Sequence, residues 1–374
     1  MVEVMKASER RHPLAITMWD FSWLERKWPG AGYEDWNQAL DELVERGYDA
    51  IRIDAYPHLM AADGSGTWEL LPEWSVQVWG APAVTRISDV RGNLIQFIRL
   101  CRDRGLKVAL STWFREDRRD LRSGIASPQE LGEIWVKTLE AIEQEGLLDI
   151  VLYVDLCNEF PLTCWAPFLL KATGEPWVQR ASVEGTRWMR ESIAVVRERY
   201  PQLEYCFSFC SEYDTYETQD VSFMDVLDLH IWMAQSHCTT FYAEVGYQYE
   251  RFDATGYTNL ALKGEELYRS KPEHWQQGLR KSIRLLADWS RLSGKPLVTT
   301  ECWGVVDYKD WPLLDWGWVK ELCEFGLREA LATKRWAMLA TSNFCGPQFV
   351  GMWRDVEWHR KLTDLIHESQ VDLI

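Results

Sequence analysis

The sequence predicts one (β/α)8 barrel over residues 1–374, with long βα loops at its C-terminal face. Three observations carry this. Short apolar, β-branched runs alternate with amphipathic helical stretches about eight times from end to end. Connections from helix to strand are short, whereas several from strand to helix are long. No GxGxxG or GxxxxGK[ST] loop occurs, which disfavours the rival doubly wound sheet and any nucleotide site.

Taken in order, the strand-like runs are residues 14–19, 50–55, 107–112, 150–156, 205–209, 226–232, 296–300 and 335–340. After the first, Trp36, Leu40, Leu43 and Val44 recur at helical spacing, with Gly47 placed to cap. A helix from about Leu94 to Cys101, closed by Gly105, follows the second run. The helix after the third has the clearest start: Ser127 as cap, Pro128 at the first helical position and Glu130 completing a capping box. Its apolar stripe is Leu131, Ile134, Trp135, Thr138, Leu139 and Ile142. Further helices are predicted over 183–199, 273–292, 316–331 and 355–367, but none between the fifth and sixth strands.

The balance of 47% hydrophobic and 26% charged residues fits a globular protein with an ample core. A net charge of -16 argues against nucleic acid or an anionic membrane as partner. Residues 1–16 carry Glu3, Lys6, Glu9, Arg10 and Arg11 and no apolar core, so no signal peptide is expected and a cytoplasmic location is. The nine cysteines read as reduced thiols; they form no CxxC pair and no cluster with histidine, so neither metal nor cofactor is expected.

Long strand-to-helix connections are predicted over 56–89, 160–182 and 233–272. In a compact domain such loops are usually functional, and in a barrel they gather at the C-terminal rim. They hold a surplus of aromatics, namely Trp68, Trp74, Trp79, Trp165, Trp177, Phe241, Tyr242, Tyr247, Tyr249, Phe252 and Tyr257. Flat apolar faces suit sugar rings, and loop packing accounts for a share of them. The 233–272 loop is long enough to close one end of a cleft into a pocket.

Two apolar runs end in a glutamate just where the strand pattern stops: residues 153–159 with Asn158-Glu159, and residues 297–301 with Glu301. Arg52 on the second run and His230 on the sixth fall on the same rim. Interior charge needs partners or a task. One possibility is an ion cluster that only neutralises itself. The other is acid/base and nucleophilic work on a glycosidic bond, in which two carboxyl groups about 5–5.5 Å apart share one sugar. The nucleophile needs its charge stabilised, while an apolar setting and a negative neighbour would keep the acid protonated. Asp54 and Asp155 share inward parity with Arg52 and Glu159 and read as supporting partners.

Asn158-Glu159 on a fourth strand with Glu301 on a seventh resembles the clan A retaining glycoside hydrolases, nearest to family 5 and cellulase-like proteins. Ile51-Arg52-Ile53 resembles that family's second-strand arginine, and residues 228–232 its sixth-strand His-x-Tyr. The resemblance implies Glu159 as acid/base, Glu301 as nucleophile, Asn158 binding the sugar 2-hydroxyl, Arg52 supporting the nucleophile and His230 as a sugar ligand. The chain departs from the pattern in four places. Phe160 follows Asn-Glu where proline is common, and Trp232 replaces a tyrosine. The third strand ends in Thr112-Trp113-Phe114 without a histidine, and the eighth in Asn343-Phe344 without a tryptophan platform. Trp113, Trp232, Trp303 and Phe344 are therefore expected to line the sugar site. The expectation is a retaining β-glycoside hydrolase acting on an oligosaccharide or glycoside, the alternative a non-catalytic carbohydrate-binding protein on a degenerate barrel.

Overall fold

A computed structural model describes residues 5–72, 85–234, 239–247, 254–305 and 314–372. Trp74, Trp79, Tyr249 and Phe252 lie outside these residues. Eight parallel strands form the barrel: β1 Leu14–Asp20, β2 Ala50–Asp54, β3 Lys107–Ser111, β4 Val151–Asp155, β5 Glu204–Cys206, β6 Leu227–Asp228, β7 Leu297–Thr299 and β8 Trp336–Leu339. Their order is β5-β4-β3-β2-β1-β8-β7-β6. The remaining seam, between β5 and β6, is joined just beyond the strand ends. There Phe209 N donates to Asp228 O (3.1 Å) and His230 N to Phe209 O (2.9 Å). The fold is thus the single barrel that the alternation predicts.

Every residue of β2 and β4 is buried. That is what strands covered by barrel interior on one face and helices on the other require, and why they read as unbroken apolar runs. The outer helices follow the same logic. Helix Pro128–Gln144 buries Leu131, Trp135, Thr138, Leu139 and Ile142, with Ile134 half-buried. Its start is capped by Ser127 Oγ, which accepts from Glu130 N at 3.2 Å. The return bond from Glu130 goes to Ala126 N (2.7 Å), one residue earlier than a capping box places it. Gly47 and Gly105 adopt positive φ (81° and 73°) where helices turn tightly into β2 and β3.

Between the fifth and sixth strands only a 3-10 helix, Tyr213–Thr218, stands, so that unit lacks the outer α-helix that the alternation gives the others. None of the three long connections is a bare loop: the 160–182 connection carries helix Phe168–Thr173. The first carries helix Pro57–Asp63 and an antiparallel hairpin of Thr67–Leu70 with Thr85–Ser88. The 233–272 connection carries helices Thr240–Val245 and Ala254–Ser270. Its Phe241 ring packs on Trp275 (5.1 Å) and Trp318 (6.1 Å), anchoring it to the outer helices Pro272–Ser293 and Gly317–Thr333. Trp68, Trp165, Phe241, Tyr242 and Tyr247 are all buried, so the loop aromatics among the described residues serve mainly to pack loops down; Trp177 is half exposed. No helix among the described residues is long and apolar enough to cross a membrane.

Helix Pro128–Gln144 meets helix Val183–Arg199 at Gly132, where an added Cβ would lie 2.5 Å from Val195 Cβ and 2.9 Å from Ser192 O. Gly132→Ala is therefore expected to cost about 1–3 kcal/mol through overpacking, despite alanine's better helix propensity. The urea midpoint reads this; an unchanged midpoint would show that the two helices separate freely.

Candidate active site

The barrel's C-terminal mouth is built around a guanidinium. Arg52, fully buried on β2, donates through Nη2 to Asp155 Oδ2 on β4 (2.6 Å) and to Asn158 Oδ1 (2.7 Å). Nη1 reaches Glu301 Oε1 at 3.2 Å, and Nε faces Asp228 Oδ2 on β6 at 3.6 Å. The Trp113 ring covers the guanidinium, 4.6 Å from its centroid to Cζ. Burial alone would lower the pKa of Arg52, but Asp155 and Asp228, with Tyr153 and Glu301, raise it above the ordinary arginine value. Asp155 is further held by Ser111 Oγ (2.7 Å) and by Ser208 Oγ and N (2.8 Å each). Tyr153 donates to Asp228 at 2.8 Å.

Glu159 stands four residues past the end of β4 with a positive φ of 45°. The turn breaks strand alternation, so neighbouring Asn158 and Glu159 both serve the mouth. Ser208 Oγ accepts from Glu159 N at 3.0 Å. His230 Nδ1 lies 2.9 Å from Glu159 Oε1 and 3.7 Å from Glu301 Oε1, and Trp165 Nε1 donates to Glu159 Oε2 at 3.3 Å. A ring nitrogen of His230 and one oxygen from each glutamate all lie within 4.8 Å of one another. This is the one such grouping of metal-ligating side chains among the described residues. Arg52 already puts a positive charge against it, so its chemistry reads as proton handling.

The electrostatics run against the expected division of charge. Burial raises Glu301, and Glu159 and Asp228 add to this, although His230 and Arg52 oppose it. Burial alone would raise Glu159 too, but the bonds from His230 and Trp165 hold it below its ordinary value. Burial alone would lower His230; Glu301 and Glu159 raise it instead. His230 is thus drawn toward its charged form, and burial draws Glu301 toward its neutral one. Groups this close titrate as a unit.

Arg52, Asn158, Glu159, His230 and Glu301 therefore come together, with Trp113 over Arg52. Trp303 and Phe344, expected to line the sugar site, make their described contacts elsewhere. Trp303 has φ 72° and turns toward helix Gly317–Thr333, where an added Cβ on Gly326 would lie 2.8 Å from its ring. Its Nε1 donates to Ala340 O at 3.0 Å. Phe344 packs on Trp316 (5.1 Å) and Phe349 (5.4 Å). Trp232 is 2% exposed, its backbone paired with Trp303 in a short parallel ladder. Asp54 accepts from Trp113 N (3.0 Å) and Tyr56 N (2.7 Å), a structural task. In the sequence, Ser111, Ser208 and Asp228 carry no assigned role, and Trp165 reads only as a loop aromatic suited to a sugar ring. The first three sit on or just past strands, where inward parity marks them; Trp165 lies in irregular chain that has no such period. Asn343 Oδ1, Asn158 Nδ2 and His230 Nε2 are buried polar atoms with no hydrogen-bond partner among the described residues.

With this geometry in view, comparison with known proteins is decisive. The family of sugar-binding cellulase-like proteins matches residues 16–367. The chain belongs to that family. A Parabacteroides distasonis protein provisionally described as a glycoside hydrolase is 50% identical, with 97% of this chain and 96% of that one covered and a TM-score of 0.93. Thermotoga maritima Cel5A, solved with mannotriose, shares 16% identity over 96% of this chain and all of that one, TM-score 0.56. An exo-β-1,4-mannosidase of Opitutaceae bacterium strain TAV5 shares 12% identity over 98% of this chain and 62% of that one, TM-score 0.53. These last two share the fold alone. No curated protein matches the sequence. The cellulase-like chain thus has the clan A barrel that the resemblance implies.

Burial pushes Asp20, at the end of β1, up to about 7, with Glu301 and Glu25 adding to it and Ser22 opposing. Its folded value is raised, so its contribution to stability is present at low pH and is lost as pH rises from about 4 to about 7. Asp20→Asn is expected to flatten the decline in urea midpoint between pH 5 and pH 8. An identical decline in the variant would show that Asp20 titrates as it does in the unfolded chain.

Proposed function

We propose that this chain is a retaining β-glycoside hydrolase acting on an oligosaccharide or glycoside, with Glu159 as acid/base and Glu301 as nucleophile. The supporting observation is the approach of the two carboxylates to within 4.8 Å, oxygen to oxygen, at the mouth of the barrel. Double displacement uses carboxyl groups about 5–5.5 Å apart, whereas inversion leaves room for a water between more distant ones.

The roles follow from what each carboxyl touches. Glu301 receives a hydrogen bond from Arg52, a fixed positive charge suited to an attacking carboxylate. Glu159 is tied to His230, through whose 2.9 Å contact a proton passes between imidazole and carboxyl. Moving that proton onto Glu159 leaves both groups neutral and conserves the charge of the pair. Glu159 then protonates the leaving oxygen as Glu301 attacks the anomeric carbon. With the glycosyl group on Glu301, Glu159 is the base that activates water. Asn158 Nδ2, buried and unpartnered, is a donor for the sugar 2-hydroxyl, and His230 Nε2 a second open position. The mannotriose complex of Cel5A and the exo-mannosidase support a carbohydrate substrate without fixing the sugar.

Glu159→Gln and Glu301→Gln are each expected to lower kcat/KM on a natural-type glycoside by about 10²–10⁴-fold or more while leaving the melting temperature near that of the parent. NMR of the first-formed product should show the substrate's anomeric configuration. Full activity in both variants ends this reading. A panel of aryl glycosides untouched by the parent chain favours a carbohydrate-binding protein on the same barrel, which the missing eighth-strand platform would suit.

A further inference from the structure

We propose that Arg180 is a positioning residue for Glu159, the staple that sets the acid/base against the sugar. The proposal rests on the reading of Glu159 as acid/base. Arg180 lies in the long connection between β4 and helix Val183–Arg199 and is 1% exposed. Its Nη1 donates to Phe160 O at 2.6 Å, the carbonyl next after Glu159, and to Ser208 O at 3.4 Å. Nη2 donates to Phe207 O at 3.4 Å and Nε to Gln219 Oε1 at 3.3 Å. The guanidinium lies over the Phe209 ring, 3.7 Å from its centroid.

Each of these contacts bears on Glu159 from a different side. Phe160 continues the chain from it. Ser208, whose main chain Arg180 grips, accepts from Glu159 N through its hydroxyl (3.0 Å). Phe209, beneath Arg180, makes the backbone bonds that close the barrel and accepts from His230 N, and His230 is the other partner of the carboxyl. The guanidinium's own hydrogen bonds go to neutral oxygens, three of them main-chain carbonyls in divergent directions; Glu212, which accepts from Arg180 N at 3.2 Å, and Asp155 supply the nearby negative charge. A planar fork reaches all the neutral oxygens at once; a lysine ammonium replaces one. Retaining a charge at this depth against neutral acceptors is costly. The return is a fixed turn at Glu159, whose positive φ a non-glycine residue does not adopt unaided.

A positioning role predicts a loss that depends on the leaving group. A dinitrophenyl glycoside needs little protonation to depart, whereas a phenyl glycoside depends on the acid. For Arg180→Lys, kcat/KM is expected to fall about 10²-fold or more on the phenyl substrate and less than about tenfold on the dinitrophenyl one. Azide, which needs no general base, should restore turnover of the glycosyl-enzyme. Phe209→Leu, which removes only the ring beneath the guanidinium, should show the same selectivity in smaller degree and carries the test where Arg180→Lys does not fold. Equal losses on both substrates, or no loss, overturn the proposal. Parental turnover and its removal by Glu301→Gln check the hydrolase reading separately. Where nothing is turned over, a crystal structure of Arg180→Lys still decides: Glu159 displaced from His230 and Ser208 supports the inference, and Glu159 in place overturns it.

Discussion

The structure depends on a single buried cation. Arg52 is fully enclosed on β2, and its partners come from every strand end on one side of the barrel: Ser111, Asp155, Ser208, Asp228 and Glu301. Taking a guanidinium and three carboxylates out of water is expensive, and the mutual attraction compensates only when the geometry is good and the remaining hydrogen-bonding capacity is met. Here the serines and Tyr153 meet much of it. The network therefore acts as a constraint: the strand ends must sit at fixed distances from Arg52, and Glu301 is one of them.

Glu159 is held differently. Among the described residues no arginine donates to its carboxylate; the neighbours there are the His230 imidazole, the Trp165 indole and the Cys210 thiol. On the proposed roles that separation matters, because a nucleophile and an acid cannot share one electrostatic setting. A permanent charge beside Glu301 and a movable proton beside Glu159 give the two carboxyls distinct surroundings within a few ångströms. The link between them is His230, in contact with one and near the other, so that protonation of the three is a joint property.

Solved chains of low identity share this barrel. At its mouth Trp303 and Phe344 show how side chains are sorted. Both follow strand ends at the mouth, yet both turn outward to fill space under helix Gly317–Thr333 and beside Trp316. Aromatic rings bury large areas, and the groove opposite Gly326 is a better home for an indole than a polar mouth. The same preference explains the buried loop aromatics: Phe241, between Trp275 and Trp318, is attached to the outer ring by ordinary packing.

Periodicity and local chemistry determined the eight strand–helix units, the Ser127 cap and the rim on which Arg52, Asn158, Glu159, His230 and Glu301 stand. These are properties of neighbouring residues, written in alternation, spacing and turn preference, and a parallel barrel has one working end. Tertiary structure alone decided how the seam closes through Phe209, which aromatics turn inward, how burial and neighbouring charge shift three coupled groups, and that Asp228 faces Arg52 while Arg180 bonds the carbonyl after Glu159. Each of those depends on distances between segments remote in sequence and on burial that no window of residues contains. A turn of positive φ at Glu159 or Trp303 redirects a side chain without any sign in the pattern around it.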